Sequence, residues 1–316
     1  MVCCVFLKNG LGDQILDVIG AYVIAKIHKE SLMIHWKENP QNFSFGNAVY
    51  AKDLFEIEHI EHVVNLNSKP EYLIVIPYPS ASTAPCFIFE KYKDIIDINT
   101  IKELYSNVSN IFKPCIEIHE HLSVEIDYGI HLRCSDKIIY DSNHKSGIDC
   151  NIDEYTSLMI KLKAYVHDII QDNCSFYVCC EDDNVEIQFK NWLLDTANKK
   201  NKKIHIIHKT HIPSISTKEG YDAVYDLFML SKCKALISGT KYSTFGILAC
   251  MLSYNKKYIC FVDDIHTTLL FAWLICFNTI INNNVTLPNI VYQFPSQFNL
   301  SSFYKDGDVY IHKVVS

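Results

Sequence analysis

A histidine and an arginine close a short apolar run near the middle of the chain, where residues 128–141 read YGIHLRCSDKIIYD. If this run is a strand, His131 and Arg133 share one face, and both side chains emerge at its carboxyl end. The guanidinium fork of an arginine suits a phosphate there, because it can hold the anion through two hydrogen bonds. A salt bridge between Arg133 and Asp136 is the alternative interpretation of the same residues.

A turn containing two glycines, NGLGDQ at residues 9–14, follows the first apolar run. Gly10 and Gly12 allow the backbone to turn tightly and to approach a ligand closely. The spacing is not that of G-x-G-x-x-G, so a plain strand-to-helix turn explains the stretch equally well. Only other motifs in the chain could favour a ligand-binding loop over a plain turn here.

A third polar stretch lies within residues 222–252. A predicted helix carries Asp226, a short apolar strand follows, and the turn GTKYST opens another helix. Ser243 and Thr244 fall at the N-terminus of that helix, where free N–H groups and the helix dipole favour an anion. Either residue can also serve simply as the N-cap, and the two roles are compatible.

The elements that would position these residues alternate between β-rich runs and helical patterns. Strands are predicted at 2–7, 31–36, 62–66, 72–78, 127–133, 175–180, 203–208, 234–238 and 258–262. Helices are predicted at 15–27, 90–112, 153–171, 184–197, 219–231 and 244–253, and a buried helix at 269–281. Such alternation is typical of α/β folds with parallel sheets and right-handed crossovers.

Two blocks of this kind meet near residue 115, which predicts two α/β domains over residues 1–114 and 115–316 with a cleft between them. Ligands of parallel sheets bind beyond the carboxyl ends of the strands. The polar stretches around Arg133 and Ser243 both follow predicted strands, so we expect them at such an edge.

In order along the chain, these stretches resemble the fucosyltransferase superfamily, whose fold is the two-domain GT-B arrangement. NGLGDQ is similar to the Gly-Gly-Leu-Gly-Asn-Gln start of the alpha-1,2-fucosyltransferases. HLRCSDK is similar to the His-Val-Arg-Arg-Thr-Asp-Lys stretch of the alpha-1,6 and nodulation enzymes, and KYSTFG to the family's Asn-Ser-Thr-Phe turn. IDEY at 152–155 fits the same order, so the resemblance spans residues 9–252.

The resemblance implies transfer of fucose from GDP-fucose to a hydroxyl of a glycan or glycoprotein, with inversion at the anomeric carbon and without a metal or cofactor. Residues 1–114 would form the acceptor side, and residues 115–316 would form a Rossmann-like domain that binds the nucleotide sugar. The parallel sheets of these two Rossmann-like domains would face one another across the cleft.

The resemblance also implies roles for single residues. Arg133 would hold the β-phosphate and neutralise the charge that develops as GDP leaves. His131 and Asp226 would meet the guanine, and a carboxylate suits that base because it can accept from both N1–H and the exocyclic amine. Asp141 would lie near the acceptor, where a base removes the proton of the attacking hydroxyl.

The remaining residues of the implied donor site lie in the two glycine- or serine-containing turns. Ser243 and Thr244 would bind the pyrophosphate from the helix N-terminus. Gly10, Gly12 and Asp13 would contact the donor from the first domain.

Three departures from the family pattern leave alternatives open. Cys134 replaces the second arginine, Asp13 stands where asparagine is usual, and KYSTFG lacks the tryptophan of the alpha-1,2 group. The donor could be another GDP-sugar or a UDP-sugar, and the protein could be a non-catalytic module that binds a nucleotide or glycan. A kinase or dehydrogenase is disfavoured, because neither G-x-x-x-x-G-K-[ST] nor G-x-G-x-x-G occurs.

Metal ligation has little support from sequence spacing. The thirteen cysteines include no C-x-x-C pair and predict free thiols in a reducing compartment. The histidines at 205, 208 and 211 would point to different faces of a strand. The acidic runs at 181–184 and 262–264 favour helix capping over metal binding.

Charge and hydropathy argue against a broad nucleic-acid-binding surface and against a membrane span. The net charge of −7 and pI of about 6.0 argue against a broad nucleic-acid-binding surface. The N-terminus has no basic region followed by a cleavable apolar segment, and the apolar stretch 269–281 is shorter than the roughly 20 residues of a membrane span. We therefore expect a soluble, cytoplasmic protein.

Overall fold

The structure is a computed structural model that describes residues 2–7, 11–36, 55–57, 60–63, 72–76, 88, 92, 94–107, 110, 112–122, 124–134, 138–139, 150–217, 220–240, 243–253, 257–261, 278–281, 285–286 and 310–313. The chain divides into two compact units. The first comprises Met1–His119, Ile212–Val224 and Asn289–Ser316, and the second comprises Glu120–His211 and Tyr225–Pro288. The domain boundary after residue 114 and the cleft stay predictions.

The first unit contains a five-stranded sheet. The elements of this unit are β1 (Val2–Leu7), α1 (Leu11–His28), β2 (Ser31–Trp36), β3 (Phe55–Ile57), β4 (Ile60–Val63), β5 (Tyr72–Ile76), α2 (Ile98–Ser106), β6 (Phe112–Pro114), α3 (Ile116–Glu120) and β16 (Tyr310–Lys313). The strands β3 and β6 pair with one another outside the five-stranded sheet. The strand order is β16-β5-β1-β2-β4, and all neighbours are parallel except β16 with β5.

The second unit contains a seven-stranded sheet. The elements of this unit are β7 (Ile126–Leu132), β8 (Ile138–Ile139), β9 (Cys150–Asn151), α4 (Ile152–Ile169), β10 (Ser175–Cys180), α5 (Asp183–Lys199), β11 (His205–Ile207), α6 (Tyr221–Lys232), β12 (Cys233–Gly239), α7 (Thr244–Met251), β13 (Lys257–Cys260), β14 (Asn278–Ile281) and β15 (Val285–Thr286). The first four residues of α6, 221–224, belong to the first unit. The strand order is β11-β10-β7-β12-β13-β14-β15, parallel except for the edge strand β15. The predicted α/β class with largely parallel sheets is confirmed.

The central strands of this second sheet are buried on both faces. One face is covered by α4 and α5, whose Leu162 and Leu193 pack with Ile130, Leu132 and other apolar residues of the sheet in one cluster. The opposite face carries the alternate residues of the same strands, among them Tyr177, His131 and Ser238. The buried polar side chains His131, Tyr177 and Ser238 therefore lie on one face, next to α6 and α7.

Most predicted elements are confirmed within a few residues, with two corrections. The predicted helix 90–112 is interrupted: Tyr92 is helical, residues 94–97 are not, and α2 ends at Ser106. The new helix begins after Asp97, which caps α2 by accepting from the N–H groups of Asn99 and Thr100. The apolar stretch 269–281 was predicted as a buried helix, but Asn278–Ile281 is a strand, and residues 269–277 lie outside the described residues. A short apolar run satisfies either structure, and here pairing with β13 decides for the strand. None of the described helices is long and apolar enough to span a membrane.

A glycine in β7 packs closely against the end of α6 and the start of β12. A Cβ atom on Gly129 would lie 2.8 Å from Cys233 Sγ and 3.0 Å from Leu230 Cδ2. We expect Gly129→Ala to lower the free energy of unfolding by about 1–3 kcal/mol, because the added methyl group overpacks this contact. Urea denaturation measures the loss. Adding Cys233→Ala should recover part of it, and a Gly129→Ala variant as stable as the wild type would contradict the close packing.

Candidate active site

The second sheet brings His131 and Arg133 to its carboxyl edge. The strand β7 lies between β10 and β12, and His131 is in register with Cys179 on one side and Ser238 on the other. Arg133 follows the last residue of β7, so the predicted position beyond a central parallel strand is confirmed. This is the edge at which ligands of parallel sheets bind.

His131 is a buried, neutral imidazole. Its side chain is 6% exposed, and its ring lies 5.2 Å from the ring of Phe245, centroid to centroid. Burial lowers the pKa of His131 to about 3, and the nearby charge of Arg133 acts in the same direction. Its Nδ1 atom has no hydrogen-bond partner among the described residues. A buried polar atom normally has a partner, so this nitrogen has a hydrogen-bonding position that the described residues leave unused.

The buried imidazole should make stability pH-dependent. Because the pKa of His131 lies below its unfolded value of 6.5, the stabilising contribution is complete above pH 6.5 and is lost as the pH falls towards 3. We expect His131→Asn to remove this slope, which reaches about 1.4 kcal/mol per pH unit for one proton. Urea unfolding across this pH range measures it. The same substitution at exposed His167 is the control, and equal slopes in all three proteins would disprove the assignment.

Arg133 is partly buried, and it is the only arginine of the chain. All the other residues among the 29 lysines and arginines are lysine. A lysine supplies the same charge without the planar fork, so this single guanidinium marks the position where bidentate geometry can matter. The chain after it is anchored, since the N–H of Cys134 donates to Oε1 of Glu181 at 2.5 Å. Asp136, the alternative partner of Arg133, lies outside the described residues.

The N-terminus of α7 follows β12 at the same edge. Ser243 is its N-cap, with extended backbone angles (φ −148°, ψ 112°), and its Oγ accepts from the N–H of Gly246 at 3.4 Å. Ser243 and Thr244 are 1% and 7% exposed. The predicted N-cap is confirmed. Binding of an anion by the free N–H groups stays a prediction.

Asp226 lies on α6 in a buried cluster with Tyr177 and Lys209. The Tyr177 hydroxyl donates to Oδ1 of Asp226 at 2.5 Å, and Lys209 Nζ lies 3.1 Å from both carboxylate oxygens. Burial raises the pKa of Asp226 to about 6, although Lys209 and Tyr177 both lower it. A carboxylate offers about four acceptor positions. Tyr177 and Lys209 therefore leave room for further donors, such as two N–H groups of a base.

Comparison with known proteins identifies structures with a similar fold but no similar sequence. No family model and no curated protein matches the sequence. A solved structure of a variant of Arabidopsis thaliana FUT1 in complex with GDP is 13% identical, covers 84% of this chain and 71% of its own, and has a TM-score of 0.52. The fold is fucosyltransferase-like. The fucosyltransferase NodZ from Bradyrhizobium (16% identity, 80% and 93% coverage, TM-score 0.45) and POFUT1 in complex with GDP-fucose (9%, 79% and 93%, 0.44) also match.

Within this fucosyltransferase-like fold, some predicted site residues cannot be placed with the others. Gly12 is buried in the first turn of α1, in the first unit. Gly10, Asp141 and the side chain of Asp13 lie outside the described residues. The structure thus brings together His131, Arg133 and the start of α7, and it locates Asp226 on α6.

Four further residues of this site were not predicted from the sequence: Tyr177, Lys209, Ser238 and Phe245. Ser238 is fully buried, and its hydroxyl lies 3.3 Å from that of Thr240. The dense run of hydroxyl residues in SGTKYST is the one signal that points to Ser238. Tyr177 lies in β10 and Lys209 follows β11, at 49 and 17 positions from Asp226, so only the tertiary fold brings them to this carboxylate.

Three residues whose side chains could ligate a metal ion lie close together in the described part of the chain. They are Cys134, Cys180 and Glu181. The acidic run at 181–184 also caps α5, since Asp182 accepts from the N–H groups of Asn184 and Val185. The predicted capping role is confirmed for this run, and residues 262–264 lie outside the described part.

Proposed function

We propose that the protein is a glycosyltransferase that moves fucose from GDP-fucose to a hydroxyl of a glycan or glycoprotein. The observation that carries the proposal is the position of Arg133. It follows the central strand of a parallel sheet beside a buried imidazole and a capped helix N-terminus, in a fold that resembles FUT1 in complex with GDP. These three groups suit the diphosphate of a nucleotide sugar.

The donor-binding roles follow from the chemistry of each group. Arg133 is proposed to hold the β-phosphate through its fork, and the N–H groups of Ser243 and Thr244 to bind the pyrophosphate. Asp226 and the free Nδ1 of His131 are proposed to meet the guanine. The carboxylate is ionised above a pKa of about 6 and can then accept from N1–H and the exocyclic amine.

The proposed reaction is a single displacement with inversion. The oxygen of the acceptor hydroxyl forms a bond to the anomeric carbon while the bond from that carbon to the β-phosphate oxygen breaks, and GDP leaves with the bonding electrons. Arg133 neutralises the charge that develops on the diphosphate, so the proposal needs no metal for this step. The hydroxyl proton goes to a general base, for which Asp141 is the candidate.

Gly10, Gly12 and Asp13 are proposed to contact the donor.

A second candidate function is a non-catalytic module that binds a nucleotide or glycan. The observation that favours it is Cys134, which stands next to Arg133 in place of the family's second arginine and is buried with its Sγ near Cys180. Such a module would still bind GDP, but it would have one positively charged side chain fewer to stabilise departing GDP during a transfer reaction. A donor other than GDP-fucose, either another GDP-sugar or a UDP-sugar, uses the same diphosphate contacts.

Calorimetric titration with GDP and with UDP, with and without a chelator, tests the donor. We expect GDP to bind tightly and UDP weakly, and the chelator to change neither. Release of GDP from GDP-fucose in the presence of a panel of acceptor glycans then tests turnover. Preference for UDP would overturn the donor assignment. GDP binding without release of GDP on any acceptor would favour the binding module. No binding of either nucleotide would contradict the transferase and would favour a non-catalytic module that binds a glycan.

A further inference from the structure

Two cysteines and a glutamate converge where β7 and β10 end. The Sγ atoms of Cys134 and Cys180 lie 3.6 Å apart, and Cys180 Sγ lies 3.6 Å from Oε2 of Glu181. A ligand atom from each of the three residues lies within 4.8 Å of the others. Cys134 and Cys180 are 46 positions apart in sequence, and the parallel pairing of Leu132 with Cys180 brings them together.

These distances fit the edges of a metal tetrahedron. With Zn–S bonds of about 2.3 Å and a Zn–O bond of about 2.0 Å, tetrahedral angles place two sulfurs about 3.8 Å apart and a sulfur and an oxygen about 3.5 Å apart. The two separations around Cys180 differ from these values by no more than about 0.2 Å. Two of the three edges of the tetrahedron are therefore already in place, and the third, between Cys134 and Glu181, is within 4.8 Å.

From this geometry we propose that Cys134, Cys180 and Glu181 form a binding site for a thiophilic divalent cation of the zinc class. Two sulfurs and one carboxylate oxygen suit zinc or cobalt, whereas magnesium and calcium require oxygen ligands. Cys134 is buried, Cys180 is partly buried, and Glu181 is exposed. The fourth position of the tetrahedron is left for water.

The surrounding hydrogen bonds hold the ligands in place. Cys134 N–H donates to Oε1 of Glu181 at 2.5 Å, and Cys180 N–H donates to Oε2 of Glu186 at 3.1 Å. Outer contacts of this kind orient ligands in protein metal sites. Asp182 is already engaged as the N-cap of α5 and is not needed as a ligand.

The site would act as a clamp and would not supply charge to the donor. One divalent cation with two thiolates and one carboxylate has a net charge of −1, which equals the charge of two thiols and one carboxylate before loading. The cation therefore does not replace the positive charge of an arginine at position 134. It would tie the chain directly after Arg133 to the end of β10, and no step of the proposed transfer passes through it.

Cobalt titration of the reduced, full-length protein tests the site, because a thiolate bound to Co²⁺ gives a charge-transfer absorption band. We expect the band to saturate at one equivalent and to disappear when Zn²⁺ is added. Zinc should also raise the melting temperature, since it binds the folded state. This readout does not involve a nucleotide, so its outcome is separate from that of the proposed transferase activity.

Variants assign the band to these residues. Cys134→Ser and Cys180→Ser should each lower the Co²⁺ affinity at least tenfold and reduce the band per bound cobalt by about half, and Glu181→Gln should lower the affinity while keeping the band. Glu181 is exposed, so this variant is expected to fold normally. Cys174→Ser is the matched control. The Sγ of Cys174 donates to the carbonyl oxygen of Gln171 at 3.0 Å, a bond that a serine hydroxyl can also make.

Three results would overturn the proposal. One is the absence of a cobalt band at one equivalent. Another is a band that keeps its affinity and intensity in Cys134→Ser and Cys180→Ser, which would place it on other cysteines. The third is a Cys134–Cys180 disulfide found by mass spectrometry without reductant, combined with no metal binding after reduction, since the pair would then be a redox site.

Discussion

Arg133→Ala should lower the affinity for GDP by about 100-fold while the fold stays intact. Two charge-assisted hydrogen bonds of about 1.5 kcal/mol each are lost with the guanidinium, and about 3 kcal/mol corresponds to this change in affinity. If the protein turns over GDP-fucose, the rate should fall by about 100- to 1,000-fold, because the same group stabilises the leaving diphosphate. Calorimetry measures affinity, and circular dichroism and urea unfolding verify the fold.

Two further variants separate the fork from the charge. Arg133→Lys keeps the charge and loses the fork, so we expect it to recover only a small part of the lost affinity. Lys234→Ala removes a cation from the same sheet at its opposite edge, where Lys234 pairs with Asp127. Six residues of extended chain separate Asp127 from Arg133, or about 20 Å. GDP affinity should be unchanged in Lys234→Ala, and unchanged GDP affinity in a folded Arg133→Ala variant would refute the phosphate assignment.

Asp226→Asn should lower GDP affinity by about 100-fold and leave UDP affinity unaltered. The amide keeps one acceptor oxygen but turns an N–H donor towards a guanine N–H, which leaves buried donors without acceptors. The measurement is the ratio of GDP to UDP affinity by calorimetry. Asp222→Asn, one turn earlier on α6 and exposed, is the matched control. A variant at Asp226 that keeps the full preference for GDP would show that the carboxylate does not face the base.

Protonation of the Asp226 carboxylate should weaken GDP binding at acidic pH, which gives the plot of GDP affinity against pH an acid limb. Because the pKa of Asp226 is raised to about 6, the group is mostly ionised at pH 7 and mostly protonated at pH 5, and GDP affinity should fall about tenfold between these values. UDP provides the baseline, since its diphosphate titrates in the same range. The Tyr177 hydroxyl lowers the pKa of Asp226, so Tyr177→Phe should move the limb to higher pH. Identical pH profiles for GDP and UDP would argue against the assignment.

The sequence was most informative where local patterns determine structure. The apolar run before Arg133 predicts a strand, and that strand places His131 and Arg133 at a carboxyl edge. Ser243 before an apolar helix predicts an N-cap, which the bond from Gly246 N–H confirms. In both cases neighbours in the chain are neighbours in space, so the period of the element is sufficient for the inference.

Contacts across the sheet could not be predicted from the same information. Cys134 meets Cys180 because β10 lies beside β7 in the strand order. Tyr177 of β10 contacts Asp226 of α6, which is 49 positions away in the sequence. Spacing rules detect metal ligands and cysteine pairs only when they are close along the chain. The predicted helix at 269–281 is wrong at Asn278–Ile281 for a related reason. The apolar residues of this strand also fit a helix, and only pairing with β13 distinguishes the two structures.

A chain with one arginine can be labelled at that residue alone by feeding isotopic arginine during expression. Growth on ¹⁵N-arginine would produce a single set of guanidinium signals in a nuclear magnetic resonance spectrum, and all of them would come from Arg133. A bidentate phosphate contact restrains rotation of the guanidinium, so slowed exchange of these signals would report binding directly. Nucleotides, sugars and acceptors could then be screened on the unmodified protein, with no substitution and no assumed activity.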